Sequence, residues 1–451
     1  MSKILFKNKF HYLLLIFTSI FSYYLFLIYY DSTTGLDWSK YSTFINHYVF
    51  GTALNAKDGQ SIIYYYLIAK VISFNLDSLN EINKNILLSN GIQLGNFLLQ
   101  IIGFFGIYKY YLSLKYNKKY IVYALSIINF FPPLIYLRLS YKSEMLAFAL
   151  LPWVLFLLNK LKVQNFRNLD KILLIATSSI LLTIKPSITI MVSLFILFLH
   201  HDIVKNNKNL ILAIGMVSIL LLFLNFQIVK IDFITHNTEE TRWDNVATAS
   251  FFYTVNIKSL ILEPIYNIQS KSLISVMLLD TFGDYFTYFW KHKEPTNFLA
   301  FGQIDYFNNF HLNRYLRDYI AISLSIFTYF CCVYNYYKIK NQIKKIFVGP
   351  FIGIFILIIN SLGFPSNNFD PNSADTFKVH YFAFFLVLVF IQILLINEKF
   401  KLYYFLLIPI FIFIMGFPKN HTVETKTGLL NKIQESNICV LFEINQKNLQ
   451  C

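Results

Sequence analysis

Apolar residues run along this chain in stretches long enough to cross a membrane, and the polar residues fall between them in two chemically different sets. Tyr12–Tyr30, Ile86–Tyr108, Leu210–Ile228, Ile346–Leu362 and Val379–Ile396 are near-continuous apolar runs. A hydrocarbon core of about 30 Å asks for about 20 apolar residues from each crossing helix. The pattern therefore predicts an all-α, polytopic bundle of transmembrane helices with about 11 spans, in the range 10–13. Two segments test that count. Gln60–Asn75 is apolar and tyrosine-rich but short, with Lys70 inside it, and Ser272–Trp290 is long enough but contains Asp280 and Asp284. Both are read as external interfacial or re-entrant helices. If both spanned instead, everything between them would be inverted.

Charge then orients the bundle. The breaks at the N-terminus, 109–119, 160–171, 201–209, 338–345 and 397–401 hold 19 Lys and Arg residues against Asp170, Asp202 and Glu398. The rest of the chain holds 20 basic and 21 acidic residues. Lys and Arg resist export while acidic residues count for little, so the lysine-rich breaks are expected to be cytoplasmic. That expectation gives a multi-pass protein of the plasma (inner) membrane with a cytoplasmic N-terminus. Residues 1–416 form the multi-span module with external loops 31–85 and 229–318, and residues 417–451 form a short external C-terminal tail.

Composition narrows the class. A chain that is 56% hydrophobic and 14% charged departs from soluble domains, in which about 25% of residues are charged. The net charge of +15 is accounted for by the cytoplasmic breaks, so nucleic acid is not an expected partner. The basic, apolar N-terminus lacks a small-residue cleavage site and reads as an uncleaved first helix. Cys331 and Cys332 are apolar filler within a span. Cys439 and Cys451 could pair if the tail is external, although nothing forces it. No fixed-period repeat, Gly-rich phosphate loop or metal-spaced Cys/His set is present.

Candidate chemistry lies in the external turns. Asp37 precedes an amphipathic stretch containing Tyr41, Phe44, Ile45, Tyr48 and Val49, so it serves as an N-cap, as a general base, or as both. Arg138, Lys142 and Glu144 fall within seven residues at a hairpin. The two cations suit a lipid-linked phosphate and the carboxylate an acceptor, while a snorkelling pair with a solvated carboxylate is the plain alternative. Lys185-Pro186 interrupts two short runs, Ile172–Ile184 and Ser187–Leu199, and is a phosphate contact or a simple turn. Asp280 and Asp284 share one helical face and could hold sugar hydroxyls or a divalent metal, with Gly283 favouring a bend between them. Lys378 and His380, followed by Tyr381, open the Val379–Ile396 run and can meet a phosphate or an acceptor.

Taken together, these residues resemble the C-type (GT-C) glycosyltransferases, polytopic membrane enzymes that use polyprenyl-phosphate-linked sugars. That family places an essential Asp in its first external loop, often followed by a Tyr, and Asp37 and Tyr41 match. An Arg…Ser-Glu element occurs at a later external hairpin of relatives, and Arg138 with Ser143-Glu144 is similar. Lys185-Pro186 and Lys378, His380 and Tyr381 occupy places where relatives bind the lipid phosphate. Two departures stand out. Trp38 replaces the Glu common after the Asp, and the tail is too short for the external domain of some members.

The resemblance implies a glycosyltransferase of the cell envelope with a polyprenyl-phosphate sugar donor and a glycan, lipid or protein acceptor. Asp37 would be the catalytic base. Tyr41, Glu144, Asp280 and Asp284 would contact acceptor or sugar, and Arg138, Lys142, Lys185, Lys378 and His380 the lipid phosphate. No cofactor is required by this reading beyond a possible divalent metal. An O-antigen-type polymerase or ligase using Arg242, Arg314 and Arg317, or a flippase or transporter, is the competing expectation.

Overall fold

The computed structural model describes residues 2–29, 32, 38–51, 62–73, 84–163, 166–229, 273–283, 314–339, 342–363, 379–396 and 400–415. In chain order the helices are α1 (Ser2–Tyr29), α2 (Trp38–Phe50), α3 (Ile62–Ser73), α4 (Lys84–Ser113), α5 (Lys118–Ile128), α6 (Pro132–Leu139), α7 (Glu144–Lys162) and α8 (Asn168–Leu182). They continue with α9 (Pro186–Asn206), α10 (Lys208–Val229), α11 (Leu273–Asp280), α12 (Arg314–Lys338), α13 (Gly349–Gly363), α14 (Ala383–Leu395) and α15 (Leu407–Met415). Short 3-10 turns at Gln342–Val348, Val379–Phe382 and Leu402–Leu406 lead into the last three.

The chain is a multi-pass helical membrane protein. Among the described residues, five helices are long and apolar enough to cross a membrane, and six if α5 and α6 count as one span bent by 63°. The described helices thus support fewer spans than the eleven expected, because several apolar runs are short or broken. Lys185-Pro186 divides one apolar region into α8 and α9, and α14 has only 13 residues. The tyrosine-rich segment forms the 12-residue α3, about 18 Å long at 1.5 Å per residue and too short to cross alone. The Asp280 segment forms the eight-residue α11 and a turn ending at Gly283.

Long α4 is the organising element. Its glycines admit neighbours at close range: a Cβ on Gly91 would stand 2.5 Å from Ile72 of α3, and one on Gly103 2.5 Å from Phe148 of α7. Small residues at such crossings let backbones approach, the usual basis of helix packing in lipid. The α5–α6 break falls at Pro132-Pro133, which cannot continue the hydrogen-bond ladder. Polar side chains take over there. Gln100 of α4 donates to Asn129 Oδ1 at 2.8 Å, and Asn129 donates to Thr18 and Ser19 of α1. Phe131 beside the break stacks on Phe390 of α14 and meets Phe282 edge-on, placing an aromatic knot at the centre. Helix α14 is almost entirely buried, as expected of one that is apolar all round. Large apolar side chains of α1, α10 and α12, among them Phe17, Ile219 and Phe330, face outward. A lipid environment would cover such faces.

The described residues of the six lysine-rich breaks gather at one end. His11 lies against Tyr123, and Asn159 bonds Ser113. Lys345 reaches the Phe198 carbonyl, Gln392 bonds Tyr116, and Phe400 stacks near Tyr120. Lys160 pairs with Asp170 at 2.6 Å. Helix α7 runs from this end to Glu144, and its 19 residues make about 28 Å of separation.

Candidate functional site

At the end of the bundle opposite the lysine-rich breaks, three chain segments converge. The first is the turn between α6 and α7. Its carbonyls would be left bare by the end of α6, and Asn96 of α4 satisfies them, donating to Arg138 O at 2.8 Å and Ser140 O at 2.7 Å. Tyr64 of α3 completes the brace through Asn96 Oδ1 (2.9 Å) and Ser140 O (3.3 Å). The turn thereby delivers Lys142 and, at the first residue of α7, Glu144. A carboxylate there also meets the positive end of the helix.

The second segment is the α8–α9 turn. Pro186 starts α9, where its missing N–H costs nothing, and Thr189 ties back to Leu182 O and Lys185 O. Lys185 is aimed at Glu144, with Nζ 3.0 Å from Oε1. The third segment is the 3-10 turn Val379–Phe382, held by Asp280, whose Oδ2 accepts the Val379 N–H at 2.7 Å. It presents His380 and Tyr381.

These groups meet. Nζ of Lys185 stands 4.1 Å from the Tyr381 ring centroid and Nζ of Lys142 stands 5.4 Å from the same centroid. Lys142 Nζ also lies 3.3 Å from Nε2 of His380. An ammonium can only donate, so Nε2 acts as the acceptor and the imidazole proton belongs on Nδ1. Glu144 is 1% exposed and Lys142 7%, whereas the Lys185 side chain is 19% exposed. Oε2 of Glu144 is buried and has no hydrogen-bond partner among the described residues. Two ammoniums close to one aromatic ring offer cations suited to phosphate, and the unpartnered carboxylate oxygen can take a hydroxyl.

The sequence singled out Lys142, Glu144, Lys185, Asp280 and His380, and the structure brings them into this one region. Arg138 goes elsewhere. Its guanidinium is buried, donating to Ser22 O at 2.9 Å, Ser22 Oγ at 3.2 Å and Gln100 Oε1 at 3.3 Å, with Phe26 beneath it. It ties α1 and α4 to α6, and among the described residues no ion pair joins it to the cluster. Tyr41 falls in α2, whose Phe44 stacks on Tyr65 at 4.2 Å. Asp37, Asp284, Lys378, Arg242, Cys439 and Cys451 lie outside the described residues, as do the 417–451 tail and most of the 229–318 loop.

Asn96, Tyr64, Ser22 and Gln100 were not anticipated. A signal existed: Ser89, Gln93, Asn96 and Gln100 repeat at spacings of four, three and four, which lines one helical face with polar groups. All four are buried. Among the described residues no group of three His, Cys, Asp or Glu side chains could hold a metal ion. Comparison of the chain with protein-family models, with curated proteins and with solved structures finds no match.

Proposed function

We propose that the chain is a membrane glycosyltransferase that takes a sugar from a polyprenyl-phosphate-linked donor at the outer face of the plasma membrane. The observation that carries this reading is the convergence of Lys142, Lys185, His380, Tyr381 and Glu144 from three separate turns at one end of the bundle. In it, the ammoniums of Lys142 and Lys185 hold the phosphate and neutralise the charge that builds on it as the glycosidic bond breaks. Lys378, beside His380 in sequence, adds a third cation. Glu144, with Asp280 bracing the Val379–Phe382 turn and Asp284 four residues on from Asp280 in sequence, faces sugar or acceptor hydroxyls. Asp37 serves as the base that removes the proton of the attacking hydroxyl.

A lipid donor accounts for the setting, because its chain dissolves in the bilayer while its phosphate sits at the border. The gathering of the lysine-rich breaks at the opposite end supports an external site through the positive-inside bias. Arg138 is reassigned from phosphate ligand to structural tie.

The test is donor turnover in proteoliposomes, using a panel of polyprenyl-phosphate sugars with radiolabelled head groups. Wild-type protein is expected to consume at least one donor, and Lys142→Ala/Lys185→Ala to consume none while folding normally. Equal turnover by that variant sinks the proposal.

A further inference from the structure

The Glu144–Lys185 ion pair sits where the proposed phosphate has to bind, so the same lysine is claimed twice. Glu144 is sealed from solvent and bonded through Oε1 alone; Oε2 has no partner among the described residues. Lys185 is the one member of the pair with solvent access, and its ammonium already lies near the Tyr381 ring that Lys142 also approaches.

A carboxylate and a phosphate bonded to one ammonium would place two anions side by side in poorly screening surroundings, which is strongly repulsive. A phosphate arriving from the exposed side therefore competes with Glu144 for Lys185. Nothing else among the described residues holds the carboxylate in place, so a single bond has to be exchanged.

We infer that Lys185 is a transferable counter-charge: Glu144 holds it in the empty site, and an incoming phosphate monoester or diester takes it over. The consequence follows from electrostatics. A buried carboxylate that loses its cation is left short of donors and accepts a hydroxyl hydrogen bond more avidly. Phosphate binding thus readies Glu144 for the hydroxyl-bearing partner, and the site acquires a fixed order, phosphate first and hydroxyl second. No covalent change is involved; one ion pair is replaced by another. The inference rests on the phosphate reading above and adds Glu144 as a positioning residue whose state depends on occupancy.

Two measurements test it on full-length protein in lipid nanodiscs. The first is the affinity for a polyprenyl phosphate of wild type, Glu144→Gln, Lys185→Ala and the double variant. Glu144→Gln, which is isosteric, is expected to bind severalfold more tightly because Lys185 is no longer held. Lys185→Ala is expected to bind more weakly, and adding Glu144→Gln to it should restore nothing. The second is an infrared difference spectrum: binding of polyprenyl phosphate should shift a carboxylate stretching band that Glu144→Gln lacks, as that group leaves its ion pair.

Weaker or unchanged binding by Glu144→Gln, or a Glu144 band that does not move on binding, overturns the exchange while leaving the phosphate site standing. If inorganic phosphate alone reproduces both effects, the exchange stands and the lipid-linked donor falls. If neither phosphate binds wild-type protein, the phosphate site and the exchange fall together.

Discussion

Helix α7 carries an ion pair at each end. At one, Glu144 is 1% exposed and held by a lysine 41 residues away; at the other, Lys160 pairs with Asp170 only 10 residues on, with both side chains more exposed, at 25% and 13%. The second pair has an evident structural purpose. Asp170 also accepts the Arg167 N–H at 2.9 Å and so closes the turn into α8. Neighbouring Lys115, Lys118, Lys119, Lys162 and Lys205 are exposed, as the lysine-rich end of a membrane protein would have them. Among the described residues fewer lysines lie at the Glu144 end, but two of them close on one tyrosine ring and one is nearly buried. Number of charges therefore says little about a site, whereas burial and convergence from distant segments say much.

The sharpest way to break this contrast is to remove cations from each end in turn. Lys142→Ala/Lys185→Ala deletes two charge-assisted contacts worth about 1.5 kcal/mol or more each, so phosphate-lipid affinity should fall by about a hundredfold. Lys118→Ala/Lys119→Ala should leave it within about twofold. Parallel titrations in nanodiscs check the pair, and equal losses would erase the distinction.

Next in size is Arg138→Met, which keeps the length and removes the donors to Ser22 and Gln100. Thermal unfolding in detergent should show a loss of about 2–3 kcal/mol, the cost of stripping buried acceptors of a charged donor. Phosphate affinity per folded molecule should stay the same; a selective loss of affinity would return Arg138 to the site. Gly103→Val pushes a side chain into Phe148 and should cost about 1–3 kcal/mol by over-packing, read from the same unfolding curves.

Asp170→Asn should matter least. Its carboxyl is held below the ordinary aspartate range, chiefly by the Lys160 hydrogen bond and then by the Arg167 N–H. Its contribution is therefore present above about pH 4 and lost as the pH falls through the lowered native value. Unfolding curves of variant and wild type should coincide in strong acid and separate slightly at neutral pH. A gap that widened towards acid would contradict the ion pair.

The layout was legible in the sequence because apolar runs and lysine bias follow from the bilayer itself. Within the described residues the five long apolar runs are helical, the last two opening as 3-10 turns, and the described parts of the six lysine-rich breaks share one end. Span number was less legible, since a proline or a lysine at 185–186 and the double proline at 132–133 interrupt apolar stretches without announcing whether the pieces cross separately. Lys142, Glu144, Lys185 and His380 could be picked from their positions in turns. Their meeting at Tyr381 could not, because it depends on how α7, α9 and the 379–382 turn pack. Arg138 shows the limit most plainly: four residues from Lys142, it points into α1 and α4 instead. The polar face of α4 that receives it is written in the spacing of Ser89, Gln93, Asn96 and Gln100, but the spacing alone does not say which side chain it receives.

The most direct test uses a polyprenyl phosphate bearing a photoreactive group next to its phosphate, cross-linked to the protein in membranes and mapped by peptide mass spectrometry. The phosphate site predicts adducts in 138–144, 183–189 and 379–382. Adducts confined to 113–120, 198–209 or 342–345 would place the phosphate at the lysine-rich end and contradict the account.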